Sequence, residues 1–399
     1  MKDLGGSKEF LGIFKETSIA YFFGLGGLLA GFMIAYQLDV FRLSPWAMAL
    51  YPAIVSAKGV IGGLLSGRLG TALHLGIIKP SFFGNTKSFY RLLEAILVIT
   101  LVTSILICAI SLIFGQLFWG ITIADFPAIL SVVIATMSLG LLLSFVTIKV
   151  AFLSFKKGLD PDVIVYPIMS TIADIFITFC YILILSLFFF NEQGKLAISF
   201  IALIPILFIC YILPKNLHEM EFVKTLKESM ITMVFVALIV NITGTVLNGI
   251  STFVADRKEI FTVYPALIGM IGNVGSVVGS TATTKLALGL LTPSFSSIKQ
   301  HSKNILSAWS ASIIMFILFA LLSLLIHGIL SLSSFAWFTY VLLVANVIAV
   351  VAIIILSYSI SILTFKRGLD PDNFVIPIES SFADSITSIA LFAALLLVG

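Results

Sequence analysis

The sequence predicts an all-α polytopic membrane protein with about 11 transmembrane helices, built as two parallel five-helix repeats joined by one extra span. Three observations carry this. Of 399 residues, 60% are hydrophobic and only 11% charged, against about 25% charged in a typical soluble domain. Apolar runs long enough to cross a bilayer, about 20 residues each, recur along the whole chain. And one passage occurs twice: Phe155-Lys-Lys-Gly-Leu-Asp-Pro-Asp-Val-Ile-Val-Tyr-Pro-Ile-Met-Ser-Thr-Ile-Ala-Asp174 returns as Phe365-Lys-Arg-Gly-Leu-Asp-Pro-Asp-Asn-Phe-Val-Ile-Pro-Ile-Glu-Ser-Ser-Phe-Ala-Asp384, with thirteen of twenty positions identical.

A tail of residues 1–16 mixes Lys2, Asp3, Lys8, Glu9, Lys15 and Glu16. It lacks the pattern of a cleaved signal peptide, so the first span is expected to stay in the membrane. Repeat 1 (17–190) has apolar runs at 17–37, 44–78, 90–115, 125–152 and 163–190. A linker (191–228) carries one span at 196–213. Repeat 2 (229–399) has runs at 229–250, 259–292, 304–330, 334–364 and 373–398. The long second and eighth runs are open to tilting, breaking or re-entry.

Charge placement sets the orientation. With the N-terminus in the cytoplasm, sixteen Lys and Arg fall inside and only Arg42, Lys195, Arg257 and Lys258 outside, while Lys58, Arg68 and Lys285 lie within spans. The C-terminus is then expected outside. Five spans per repeat would invert the second copy on direct fusion, and the span at 196–213 restores a parallel orientation. The repeats should therefore be related by a pseudo-two-fold along the membrane normal, as in a fused dimer acting as a monomer. Cys108, Cys180 and Cys210 lie in apolar segments and read as small hydrophobes. His74, His218, His301 and His327 show no metal spacing. No nucleic-acid partner is expected.

A second element also repeats. Tyr51-Pro-Ala-Ile matches Tyr264-Pro-Ala-Leu at an offset of 213, close to the offset of 210 between the two tail motifs. Small residues follow each proline: Gly59, Gly62, Gly63, Ser66, Gly67, Gly70 and Thr71 in one copy, Gly272, Asn273, Gly275, Ser276, Gly279, Ser280, Thr283 and Thr284 in the other. Two readings stand. Small residues let membrane helices approach closely, and glycine also uncovers carbonyl oxygens beside Ser, Thr and Asn, the ligand type hard cations use.

The chemistry concentrates in carboxylates. An ionisable group in the hydrocarbon costs roughly 2.5–3.5 kcal/mol on insertion scales and marks a pathway or site by default. Asp174 and Asp384, supplied twice by the repeat, form a matched pair suited to one divalent cation. Asp162 and Asp372 lie twelve residues earlier, about 18 Å along a helix, toward the cytoplasmic edge. Together with Asp160 and Asp370 they would concentrate cations there. Asp160 and Asp370 equally fit helix N-caps before proline, and Asp162 and Asp372 fit the first-turn dipole. Pro167 and Pro377 are expected to kink their helices. Glu379 stands where the first copy has Met169, and Lys58 where the second has Ile271. A Lys58–Glu379 pair near the pore would break the symmetry and tune coupling to Na⁺ or H⁺.

Taken together, Pro52…Lys58-Gly59…Ser66-Gly67-Arg68-Leu69…Thr71, Pro265…Gly272-Asn273…Ser280…Thr283, and the two Asp-Pro-Asp…Pro…Asp motifs resemble the membrane domain of MgtE-type magnesium channels and transporters. The tandem form with an extra span is similar to solute carrier family 41. The resemblance covers nearly the whole chain outside the tail and the linker. It implies two five-helix units around a pore, with Mg²⁺ as the transported ion and other divalent cations as alternatives. It also implies that the fifth-helix aspartates, Asp174 and Asp384, hold the hydrated ion. Asn273 joins them as a candidate ligand with no counterpart, since Val60 occupies its place in the first copy, and Glu379 is a further one. Bacterial members also carry cytoplasmic sensing domains with CBS modules; no such module is expected here, so that gating does not carry over. An intramembrane aspartyl protease is the competing reading, but Ile-Ala-Asp174 and Phe-Ala-Asp384 replace the Gly-x-Gly-Asp of such enzymes.

Overall fold

The computed structural model describes residues 11, 14, 15, 17, 18, 21–157, 161–254, 256–367 and 371–398; no side chain is described at 23, 71, 161–168, 170, 220, 221, 224, 225, 228, 231, 287 or 371–378. All regular structure among these residues is helical. The main helices are α1 (Gly26–Tyr36), α2 (Pro45–His74), α3 (Lys87–Phe114), α4 (Phe126–Gly140), α5 (Leu142–Lys156), α6 (Pro161–Phe190), α7 (Glu192–Asn216), α8 (Met220–Val254), α9 (Lys258–Ala287), α10 (Ser302–Ile326), α11 (Leu332–Lys366) and α12 (Pro371–Val398).

Among the described residues, ten stretches are long and apolar enough to cross a membrane, with α4 and α5 counted as one. The span expected at 17–37 is represented by the 11 residues of α1, because several residues just before it lie outside the described set. The long runs at 44–78 and 259–292 are continuous helices, α2 and α9, each passing through an internal proline at Pro52 or Pro265. The helix carrying each Asp-Pro-Asp motif also runs without interruption to its end. The fourth span differs between the repeats. The fourth span of repeat 1 breaks between α4 and α5, where the Leu141 amide bonds the Ser138 carbonyl at 3.1 Å, whereas α11 is unbroken.

The chain forms two compact units, residues 37–248 and residues 1–36 with 249–399. These do not follow the order of the sequence repeats, because each repeat lends its first helix to the other's unit. In the second unit Gly31 of α1 lies against Thr262 of α9: a Cβ there would strike the Thr262 carbonyl oxygen and come within 2.6 Å of its carbon. In the first unit Gly244 of α8 lies against Ala49 of α2 in the same way, a Cβ meeting the Ala49 oxygen and coming within 2.9 Å of the carbon. An offset of 213 carries Gly31 onto Gly244 and Ala49 onto Thr262. The exchange is thus reciprocal and made by equivalent atoms. Without a hydrophobic force between helices in lipid, such backbone-to-backbone approach is a main source of helix association.

In the first unit the linker helix α7 docks on repeat 1. Ala202, Ile209 and Ile212 bury against Ala95, Val98, Leu101 and Ile134 of α3 and α4, with Phe222 of α8 closing the cluster. At one end Arg91 pairs with Glu219, and Asn216 Nδ2 donates to Glu94 at 2.9 Å. The opposite stripe of α7, Leu196, Phe200, Ile204, Leu207 and Tyr211, is exposed. That three-to-four-residue spacing is one helix face, as expected of a lipid-facing surface.

In the second unit α9 and α11 bury Ala282, Leu286, Tyr358 and Ile362 together. Tyr358 also bonds Ser297 at 2.6 Å and stacks on His301. His301 in turn contacts Thr281 through Nε2 at 3.1 Å, which ties that nitrogen into the helix packing.

Candidate metal-ion site

Each unit holds one of the two deep aspartates at the same register, and each is fixed by the same hydroxyl chain. In α6 Thr178 follows Asp174 by four residues, which places both on one helix face. Its Oγ1 donates back to the Asp174 carbonyl at 2.6 Å. With that proton committed, the hydroxyl of Tyr51 on α2, 2.9 Å away, must donate to Thr178 Oγ1. In α12 Ser388 Oγ donates to the Asp384 carbonyl at 2.7 Å and stands 2.8 Å from the Tyr264 hydroxyl on α9. The second helix of each repeat is therefore clasped to the backbone of the aspartate itself. Buried hydroxyls linked in this way support each other in low dielectric. In the first unit Tyr181 Oη adds a bond to the Ala47 carbonyl at 2.6 Å; Leu391 stands at the corresponding place in the second.

The two carboxylates are not equivalent. Asp174 is partly buried and Asp384 is buried. The glycine-bearing helix reaches each aspartate's neighbour. Gly272 faces Ala383, a Cβ there lying 3.8 Å from that of Ala383. Gly59 and Ala173 line one cavity in the first unit. Asn273, next to Gly272, is half-buried.

The glycine stretch is regular helix throughout, so its carbonyls are not freed by unwinding. Several of its hydroxyls turn back onto their own helix: Ser66 bonds the Gly63 carbonyl at 3.0 Å, Thr283 the Gly279 carbonyl at 3.0 Å, and Thr284 the Ser280 carbonyl at 3.0 Å. These hydroxyls are committed within their own helix, while a Cβ at Gly59, Gly62 or Gly67 would meet nothing within 4 Å, so helix packing does not account for those three glycines.

Asp160 and Asp370 lie outside the described residues. Asp162 and Asp372 fall in the first turns of α6 and α12, but their side chains are not described. Glu379 lies five residues before Asp384, about 140° around the helix from it and about 7.5 Å along. It is directed at Gly275 and Ser357 within its own unit. Lys58 is buried in the first unit, beside Gly140. Neither Lys58 Nζ nor Glu379 Oε1 has a hydrogen-bond partner among the described residues.

Among the described residues no three of His, Cys, Asp and Glu come together.

Sequence reasoning placed both aspartates but passed over the clasp. Its signal was present: a tyrosine repeated at 51 and 264, and a hydroxyl four residues after each aspartate, at Thr178 and Ser388.

The family model described as MgtE, divalent cation transporter, matches residues 51–184 and again 264–394. No curated protein and no solved structure matches the chain.

Proposed function

Because the chain belongs to the MgtE family of divalent cation transporters, present here as a tandem repeat, we propose that it moves Mg²⁺ across the membrane, with Asp174 and Asp384 sharing one hydrated ion. The observation that carries this reading is the duplicated clasp. The same two-hydroxyl chain fixes the backbone of an intramembrane aspartate in both halves, which a purely structural pair of carboxylates would not need. Two carboxylates balance one doubly charged ion. A largely retained water shell explains why no denser ligand set is required. The Asp160, Asp162, Asp370 and Asp372 groups gather cations at the cytoplasmic mouth. The N-terminus is cytoplasmic by the charge asymmetry, and the fused repeats work as one chain.

Purified protein in liposomes tests the reading. Wild type should take up Mg²⁺, and Asp174→Asn and Asp384→Asn should each abolish uptake while folding normally. Undiminished uptake in both variants would remove the two groups from the pathway. The same vesicles separate passive from coupled transport: uptake driven by voltage alone, worth about 2.3 kcal/mol per charge per 100 mV, marks a channel, and a requirement for Na⁺ or H⁺ marks an exchanger.

A further inference from the structure

A third stretch of the chain is repeated, just beyond the glycine-bearing helices α2 and α9. Leu75-Gly-Ile-Ile-Lys-Pro-Ser-Phe82 matches Leu288-Gly-Leu-Leu-Thr-Pro-Ser-Phe295 at the same offset of 213, with five of eight positions identical. Both copies fold alike. Gly76 and Gly289 take φ of 69° and 70°, a left-handed conformation that glycine adopts without strain. The Gly76 amide then donates to the Leu73 carbonyl at 3.1 Å, and the Ile77 amide to that of Ala72 at 2.9 Å. In the other copy Gly289 donates to Leu286 at 3.1 Å and Leu290 to Lys285 at 2.8 Å. This pair of bonds is the Schellman closure of a helix.

Such a closure commonly rests the side chain after its glycine on the helix three residues before the cap. Here those positions hold Ala72, which is small, and Lys285, which is charged. Ile78 and Leu291 turn inward and are buried, which pins each turn. The side chains around them stand out: Leu75 is 69% and Ile77 45% exposed, Leu288 66% and Leu290 65%. They lie just past the apolar spans, which end at His74 and Leu286. The loop after each turn is tied shut. Asn85 Nδ2 donates to the Lys79 and Ser81 carbonyls at 2.8 and 2.7 Å, while its Oδ1 accepts from the Lys79 amide at 3.0 Å. Ser297 Oγ lies 2.8 Å from the Thr292 carbonyl and 2.6 Å from Tyr358 Oη.

Around these aliphatics the charge has one sign. Residues 75–93 hold Lys79, Lys87 and Arg91 and no acidic group, and residues 288–306 hold Lys299 and Lys303 and none either. Arg91 is taken by Glu219, but Lys79, Lys87 and Lys299 are exposed.

We propose that each turn is an anchor for acidic phospholipid. Leu75 and Ile77 in one unit, and Leu288 and Leu290 in the other, enter the boundary between headgroups and acyl chains, and the lysines beside them hold the anionic headgroups. An apolar patch rimmed by basic groups suits that surface, and acidic lipid attracts each lysine near it. A second copy of the chain suits it less, since matching patches would set lysine against lysine. The turns are ordered before lipid arrives, so little freedom is lost on binding. The inference goes beyond divalent transport and needs neither Asp174 nor Asp384.

Thermal unfolding of the full chain in detergent micelles, followed by tryptophan fluorescence with divalent ions chelated, tests it. Phosphatidylglycerol and phosphatidylcholine with the same acyl chains are titrated in. Phosphatidylglycerol should raise the midpoint at lower lipid content, and its advantage should shrink as NaCl screens the charges. Lys79→Gln, Lys87→Gln and Lys299→Gln combined should raise the half-saturating phosphatidylglycerol about fivefold to twenty-fivefold, the loss for one or two lysines per turn. The phosphatidylcholine curve should not move. Leu75→Ser with Leu288→Ser should weaken the response to both lipids. Lys195→Gln, outside both loops, and Asp174→Asn should respond as wild type does. The proposal is overturned if the two lipids give one wild-type curve, as plain solvation of apolar spans requires. It is equally overturned if the triple lysine variant or the double leucine variant responds like wild type, or if Lys195→Gln loses as much as the triple variant. None of these results touches Mg²⁺ uptake, so the two assignments fail separately.

Discussion

Tyr51 Oη stands 2.9 Å from Thr178 Oγ1, which itself bonds the carbonyl of Asp174. Tyr51→Phe removes the outer bond and leaves the inner one, so the expected cost is about 1 kcal/mol. Tyr264→Phe should cost the same, and because the two bonds share no partner the double variant should cost their sum. Thermal midpoints check this. In liposomes Tyr51→Phe should slow Mg²⁺ uptake by less than about tenfold, since a loosened carboxylate still reaches the ion. Uptake as low as that of Asp174→Asn would mean the hydroxyl chain does more than hold the backbone.

The reciprocal contacts of Gly31 and Gly244 predict a matched pair of failures. Each glycine lies against a backbone carbonyl, of Thr262 and Ala49 respectively, and a carbonyl in a helix cannot swing aside as a side-chain tip can. Gly31→Ala and Gly244→Ala should each destabilise by about 1–3 kcal/mol, the usual range for forced overpacking. Gly249→Ala, on the same helix as Gly244, serves as the control. Its Cβ would meet only Phe392 ring atoms, at 3.6 Å, so its midpoint should fall far less. Equal losses at Gly244 and Gly249 would argue against the helix exchange.

How much of this was written in the sequence differs from one element to the next. The spans, the duplication and the two deep aspartates were legible because each leaves a local mark: an apolar run, an identical motif, or a charge where hydrocarbon is expected. The exchange of first helices left none. Gly31 and Gly244 look like any other membrane glycines, and which neighbour a helix chooses is set by shape, not by its own pattern. The glycine stretch was legible as a feature but open in meaning. The hydroxyls of Ser66, Thr283 and Thr284 turn back on their own helices, while Gly59, Gly62 and Gly67 face open space, neither of which a residue pattern announces. The pairing of Lys58 with Glu379 rested on two odd charges in an otherwise matched alignment, and each proves to be housed with residues of its own unit.

Asp162 and Asp372 offer a prediction that separates field focusing from helix capping. If they gather cations, Asp162→Asn with Asp372→Asn should raise the half-saturating Mg²⁺ by roughly threefold to tenfold and leave the maximal rate unchanged. The effect should fade as ionic strength rises and screening shortens. A first-turn dipole role would instead appear as a lower thermal midpoint, by about 0.3–1 kcal/mol per residue, with uptake unaffected.

Lys58 and Gly140 form a mutually dependent pair. The lysine is 3% exposed, its Nζ has no hydrogen-bond partner among the described residues, and its stem runs past Gly140. A buried, unpartnered ammonium is an energetic burden, so Lys58→Met, which keeps the length and removes the charge, should stabilise the protein by about 1–4 kcal/mol. Gly140→Ala should act in the opposite direction, because the new methyl comes within 3.0 Å of Lys58 Cε and 2.7 Å of Ile177 Cδ1. Its cost should shrink when Lys58 is shortened to alanine, giving a coupling of about 0.5–3 kcal/mol in a double-mutant cycle. A cycle with no coupling would mean that Ile177 alone pays for the methyl, and that Gly140 is not there for the lysine. Stabilisation by Lys58→Met together with lost transport would show that the charge is kept for function at the expense of stability.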